Sequence, residues 1–360
     1  MKARAKKTVL VSPLDWGLGH ATRIIPLARL LQEQGFKVVI GSYGRSAVLL
    51  KKELSGCIHV EIEGFSPRYS SSFSQSLALM FQSLSFLYRK RKEHERTAQV
   101  VKEHDVDLII SDNRYGVRQK GVRSVIITHQ LSPELNGFPG FFKGIAARYF
   151  SKWISRFDEC WVPDIPERPG ISGRLSANRY GIKNVVKRIG ILSRFEKCKE
   201  AERYEYDHLA VISGPEPLRT MFEKDVTELF SRLGGRSVVV RGLPEGDIKG
   251  RNINGITFFD HLDAVSLNSM ICLSRNIVCR SGYSSLMDLF RAGRRALLVP
   301  TPGQPEQEYL AEHLSASFGF ITVEQKNISG IDTAMFEKFD RNIDTTNMDL
   351  SLKLPEITGK

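Results

Sequence analysis

The stretch that decides the reading is NIVCRSGYSSLMDLFRAGRRALLVPTPGQPEQEYLAEHL, Asn276 to Leu314. Ile277, Val278 and Cys279 form a short apolar run that stops at Arg280-Ser281-Gly282. Leu286, Leu289 and Phe290 then share one helical face, and Gly293 ends that helix. Ala296 to Val299 is the next strand, which Pro300-Thr301-Pro302-Gly303-Gln304-Pro305 cannot continue. A last helix opens on Pro305, with Glu306 and Glu308 in its first turn. Proline lacks only an N–H that is unpaired there anyway, and carboxylates suit the positive end of a helix.

Strand, glycine turn, helix, strand, loop, helix places a pocket for an anion and a sugar at the carboxyl ends of parallel strands. Gly282 has no Cβ, so a phosphate can approach the backbone at a helix start, where N–H groups point outward. Arg280 and Ser281 flank it. Asp288 follows about two turns into the helix, where a carboxylate can accept ribose hydroxyls. Gln304, Gln307 and Glu308 are placed for the hydroxyls of a sugar. The plain alternative is an ordinary α/β unit with a surface Asp and Gln.

These residues resemble the C-terminal nucleotide-sugar motif of family 28 of the GT-B glycosyltransferases, the family of the lipid-II-forming UDP-N-acetylglucosamine transferase of peptidoglycan synthesis. The matches are Cys279-Arg280-Ser281-Gly282, Asp288 where the family carries Glu, and Gln307 before Glu308-Tyr309. Glu308 replaces the second Gln of the family's pair. The resemblance implies two Rossmann-like doubly wound domains with an interdomain cleft. It also implies a nucleotide diphosphate-sugar donor of the UDP-N-acetylglucosamine kind.

Near the N-terminus, Thr8 to Val11 is a buried-strand run, followed by Ser12-Pro13-Leu14-Asp15-Trp16-Gly17-Leu18-Gly19-His20 and an apolar helix. The turn has neither the Gly-Lys-Ser/Thr of a Walker A loop nor the spacing of GxGxxG, which argues against a nicotinamide cofactor. In family 28 the matching loop lies at the catalytic cleft, so the resemblance carries over Gly17, Gly19 and His20. His20 and Asp15 are the candidate bases for an acceptor hydroxyl, with a helix cap or a solvated surface group as their structural alternatives.

A formal charge of +12 over 360 residues points to an acidic partner: a nucleotide diphosphate, an anionic membrane surface or nucleic acid. No nucleic-acid module is recognisable, so that class ranks last. Five cysteines, odd in number and without Cys-x-x-Cys, predict reduced thiols and neither a disulfide framework nor a zinc site. No apolar run approaches the ~20 residues needed to cross a bilayer. The expected location is the cytoplasm, or the inner face of the plasma membrane. Asp105-Val106-Asp107 reads as a helix end entering a strand rather than a metal loop. No metal and no cofactor are expected.

Two segments carry aromatics among cations, as an interfacial element would. They are Leu77–Leu87 ahead of Arg89-Lys90-Arg91-Lys92, and Phe138–Trp153. A core-facing helix and an active-site loop are the alternatives. Asn113, His129 and Gln130 follow strands and are candidate acceptor contacts. The boundary is expected near Gly190–Arg194, giving an acceptor-side domain 1–192, a donor domain 193–346 and a fraying tail 347–360. In the donor domain Ser213, Gly214 and Arg219 follow a strand, and Arg241 ends the next; all four are candidates for the diphosphate. The expected chemistry is metal-independent sugar transfer to an unidentified hydroxyl acceptor, lipid-linked or of the cell envelope. A UDP-sugar 2-epimerase or a non-catalytic nucleotide-sugar-binding protein are the rivals.

Overall fold

Thr8-Val9-Leu10-Val11-Ser12-Pro13 is buried along its whole length (β1, Thr8–Pro13). Such continuous apolar runs belong to parallel sheets covered on both faces. A computed structural model of the chain describes residues 6–15, 17–64, 83–132, 140–199, 203–337 and 340–357. The chain divides into two units, one running to Leu192 and resuming at Ser351, the other comprising Ser193–Leu350.

In the first unit β1 is followed by α1 (Leu18–Glu33), β2 (Lys37–Ser42), α2 (Gly44–Glu53), β3 (Ile58–Glu61), α3 (Ser83–His104), β4 (Val106–Asp112) and β5 (Arg123–Ile127). Then come α4 (Gly140–Ile154), β6 (Glu159–Val162) and β7 (Val185–Arg188). The sheet order is β3-β2-β1-β4-β5-β6-β7, parallel throughout. Because β1 pairs with both β2 and β4, the strand order reverses there, and the crevice beyond β1 and β4 is where such sheets hold ligands. Leu10, Val39 and Ile109 pack with Val100 in one core; Ile126, Cys160 and Val162 pack with Ile154 in another.

The second unit repeats the scheme. β8 (Tyr206–Val211), α5 (Leu218–Leu233), β9 (Ser237–Val240), β10 (Arg251–Ile253), β11 (Ile256–Phe259), α6 (Ala264–Leu273) and β12 (Ser274–Cys279) come first. They are followed by α7 (Tyr283–Ala292), β13 (Leu297–Leu298), α8 (Pro305–Phe318), β14 (Ile321–Thr322) and the short α9 (Thr333–Glu337). The order is β10-β11-β9-β8-β12-β13-β14, with only the β10–β11 edge pair antiparallel. Here the reversal falls between β8 and β12. Gly293 ends α7 in the left-handed conformation at φ 72, and α8 starts on Pro305 with Glu306 and Glu308 in its first turn, as the sequence predicts.

Two expectations are corrected. Cys198 and Cys272 form a disulfide with Cα atoms 5.3 Å apart, where the sequence led us to expect reduced thiols; Cys57, Cys160 and Cys279 are free. The end of the chain does not fray over residues 351–357. Lys353 N–H donates to Ile189 O, and Arg123 donates to Glu356 O, so backbone pairing secures a segment without apolar periodicity. Asp105-Val106-Asp107 is a helix end entering a strand: Asp105 is left-handed at φ 50, and Asp107 accepts the Thr8 N–H at 2.7 Å. Among the described residues no helix is long and apolar enough to cross a membrane. The Leu77–Leu87 stripe and Phe138–Lys143 fall outside the described residues or side chains. Further along α4, Trp153 and Phe150 pack on Tyr115, while Tyr149 is exposed.

Candidate active site

In the first unit the site forms where β1 and β4 end. Asp112 closes β4 with its carboxylate fully buried. His20, one turn into α1, places Nδ1 3.0 Å from Asp112 Oδ2. Arg23, on the same helix, donates Nε to Oδ2 at 2.8 Å and Nη2 to Oδ1. Burial alone would raise the Asp112 carboxyl, but Arg23 and then His20 outweigh it and hold it down at about 2. An ionised Asp112 only accepts, so His20 presents Nδ1–H to it and the basic lone pair sits on Nε2. The His20 side chain is 19% exposed, which leaves the ring reachable. In the sequence Asp112 stands beside Asn113 at a strand end as a candidate acceptor contact, and nothing there marks it as the partner of His20.

Asp15 has a different setting. Its carboxyl is raised by burial and lowered by hydrogen bonding from Ser46 in the first turn of α2, and Gly44 packs against it. A carboxylate at a helix start is stabilised there without any catalytic duty. Gly17, the N-cap of α1, takes φ 108, and within the first turn Gly19 O accepts from Thr22 Oγ1 at 3.0 Å. Asn113 is left-handed at φ 60, donates its N–H to Ile127 O, and keeps a buried Oδ1 without a protein partner. His129 is buried, and Gln130 N–H donates to Thr128 Oγ1. All three follow β4 or β5, at the same end of the sheet as His20.

In the second unit the neighbouring ends of β8 and β12, where Val211 faces Cys279, carry Ser213-Gly214 and Arg280-Ser281-Gly282. A Cβ built on Gly214 or on Gly282 would meet nothing within 4 Å, so both glycines border open space. Gly282 is the N-cap of α7, which has no side-chain cap, and a helix start of this kind suits an anion. Beside them lies the loop after β13. Thr301 N–H donates to Gln307 Oε1 at 3.0 Å, Gln307 Nε2 to Gln304 Oε1 at 2.7 Å, and Gly303 N–H to Glu308 Oε1 at 2.9 Å. Ser281 Oγ donates to Gln307 O at 2.8 Å. Gln304, Gln307 and Glu308 therefore first shape the loop in which the sequence placed the sugar contacts.

Residues 241–346 match the glycosyltransferase family 28 C-terminal domain. Solved structures with a similar fold include spinosyn rhamnosyltransferase SpnG complexed with thymidine diphosphate, at 14% identity, 92% of this chain, 91% of that chain and TM-score 0.61. Another is SnogD from Streptomyces nogalater, at 12% identity, 93% and 91% coverage and TM-score 0.60. MurG from Acinetobacter baumannii follows at 15% identity, 89% and 86% coverage and TM-score 0.50. The chain has the two-domain GT-B fold, and residues 241–346 carry the family 28 C-terminal domain. At these identities the structural likeness speaks for the fold, and the C-terminal match for that domain alone. No curated protein sequence matches it.

Three arginines of the second unit are not aimed at a phosphate as the sequence suggested. Arg219 is engaged by Glu216 and Glu223 and donates to Arg241 O at 3.2 Å. Arg241 donates to Glu223 and Asp260, each at 2.8 Å. Glu223 shares the helical face of Arg219 four residues on, and Glu216 stands just ahead of that helix, a spacing legible in the sequence. Arg280 is 1% exposed and spans four acceptors: Val299 O, Pro300 O, Leu218 O and Gln325 Oε1. Its guanidinium carbon lies 3.9 Å from the centre of the Phe222 ring. Burial lowers it to about 10, so it stays cationic at neutral pH. None of these four partners is a carboxylate, and its charge raises the local potential from beneath the helix start rather than by contact.

Asp288 is half-buried and accepts Ser193 Oγ at 2.6 Å. Burial pushes its carboxyl up to about 6, against smaller lowering by Arg194 and Ser193. Ser193 also accepts the Phe195 N–H at 3.1 Å, so the segment entering the second unit is fastened to the residue expected to read a ribose.

Proposed function

We propose that the protein transfers a sugar from a UDP-sugar, UDP-N-acetylglucosamine or a close relative, to an acceptor hydroxyl. The carrying observation is the pair of open glycines, Gly214 and Gly282, on adjacent strand ends where the strand order of the donor unit reverses. In this reading the diphosphate lies against Gly282 and the start of α7, with buried Arg280 supplying positive potential, and Asp288 accepts ribose hydroxyls. Gln304, Gln307 and Glu308 border the sugar.

His20 Nε2 takes the proton of the acceptor hydroxyl as that oxygen bonds to the anomeric carbon. The bond from that carbon to the diphosphate oxygen breaks, and the electron pair leaves with UDP. Asp112 holds His20 in the required tautomer. On the acceptor side, a recess of about 470 Å³ lined by Gly144, Ile145, Arg148, Arg179 and Tyr180 offers two cations beside apolar surface. Those walls fit an amphiphilic acceptor with an anionic group, such as a lipid-linked phosphate.

Gly282→Ala tests the donor half without an acceptor. At φ −71 and ψ 135 alanine is unstrained, so the variant should melt like the parent. Its Cβ would occupy the space assigned to phosphate, and UDP affinity by calorimetry should fall at least tenfold. Unchanged UDP affinity would remove the donor site from this crevice.

A further inference from the structure

Arg23 takes no part in the transfer step, yet no side chain is more closely joined to the His20–Asp112 pair. It is 2% exposed and lies three residues after His20, on the same face of α1. Its guanidinium forks onto both oxygens of Asp112, and Oδ2 serves Arg23 Nε at 2.8 Å and His20 Nδ1 at 3.0 Å together. A lone carboxylate against an imidazole favours the imidazolium, because opposite charges stabilise the cation. A carboxylate already matched by a guanidinium fork is different: it still accepts the Nδ1–H and fixes the tautomer, but it has little net charge to offer.

We propose that Arg23 is a positioning residue that shares Asp112 with His20 and so keeps the imidazole neutral, with Nε2 open to accept a proton, at the pH where the enzyme works. This rests on the reading of His20 as the base. Protonating His20 would put two cations, His20 and Arg23, on one buried carboxylate. The charged and titratable groups facing His20 are Arg23 from α1, Asp112 from the end of β4, and His129 following β5. Burial and then Arg23 lower His20 below its ordinary 6.5, Asp112 works in the opposite direction, and His129 adds a smaller lowering. A lysine in place of Arg23 would keep the charge but lose the two-oxygen fork. Glutamine would keep a hydrogen-bond donor for Asp112 and lose the charge.

The test is the titration of the His20 ring, followed by NMR on protein carrying labelled histidine, in the parent, Arg23→Gln, Arg23→Lys and Arg23→Met. The His20 midpoint should rise by about one pH unit, roughly tenfold in proton affinity, in the Gln and Met variants, and stay near the parent's in Lys. A midpoint unchanged in folded Arg23→Gln overturns the proposal. Should Arg23→Met fail to fold, the Gln and Lys pair still decides. The acid limb of UDP release from UDP-N-acetylglucosamine should move with the ring. If the ring midpoint moves and that limb does not, the sharing of Asp112 stands and the assignment of His20 as base falls.

Discussion

Asp288 gives the proposed donor site two expected pH dependences of opposite sign. Its carboxyl is raised from 3.8 to about 6, chiefly by burial, with Arg194 and Ser193 pulling the other way. Between those values the folded protein keeps a proton that the unfolded chain has released, so stability falls as pH rises through that window. At about 1.4 kcal/mol per pH unit the loss is at most about 3 kcal/mol, complete above pH 6. In the proposed donor site nucleotide binding runs the other way, because there it is the ionised carboxylate that accepts ribose hydroxyls. UDP affinity should therefore rise about tenfold per pH unit below pH 6 and level off above it.

UDP has its own phosphate ionisation near pH 6, so the measurement is a difference between the parent and Asp288→Asn. The amide keeps the shape and cannot titrate. Urea unfolding of both proteins from pH 4 to 7.5 should show the parent losing stability relative to the variant across pH 4–6. Calorimetry with UDP should show a steeper rise for the parent over the same range. Parallel stability curves would mean that the carboxyl is not held protonated by its surroundings. Parallel affinity curves would mean that Asp288 does not touch the nucleotide.

His20→Ala should lower sugar transfer by about 10²- to 10⁴-fold, whereas Asp15→Asn, at the start of α2, should leave turnover within about tenfold; the reverse order would make Asp15 the base. Arg280→Met removes four hydrogen bonds and the stacking on Phe222, and should cost about 2–4 kcal/mol in urea unfolding. Reducing Cys198–Cys272, which closes a separation of 74 residues, should destabilise the donor unit by up to about 4.5 kcal/mol if chain entropy dominates; a melt unchanged by dithiothreitol would contradict this. Gly190→Ala would set a Cβ 1.8 Å from Ser351 O at φ 77, so residues 351–357 should detach and become sensitive to limited proteolysis.

Local chemistry was legible in the sequence wherever the signal was local. Pro305, Gly293 and the apolar runs of β8 and β12 mark helix starts, stops and buried strands by their own covalent preferences. Pairs distant along the chain left no such mark. His20 meets Asp112 across 92 residues, Ser193 meets Asp288 across 95, and Cys198 meets Cys272 across 74. The first pairing follows from β4 lying beside β1, and the other two from where a coil segment meets α7 and α6; no periodicity encodes any of them.

The arginines show a further gap between charge and site. Arg280 stands in a glycine turn where the sequence predicts a phosphate ligand, yet it continues the buried end of β12 inward, where carbonyls offset the cost of desolvating it. Arg294 behaves alike, donating to the carbonyls of Ile271, Cys272, Ser274 and Arg275. Both are at most 3% exposed, so part of the formal +12 lies inside the donor unit. A partner at the crevice would meet the Arg280 charge as potential rather than as hydrogen-bond donors, whereas Arg294 lies at the opposite end of β12. Lysine at either position would lose the planar fork that spans several carbonyls, so such a variant should unfold more readily even with the net charge unchanged.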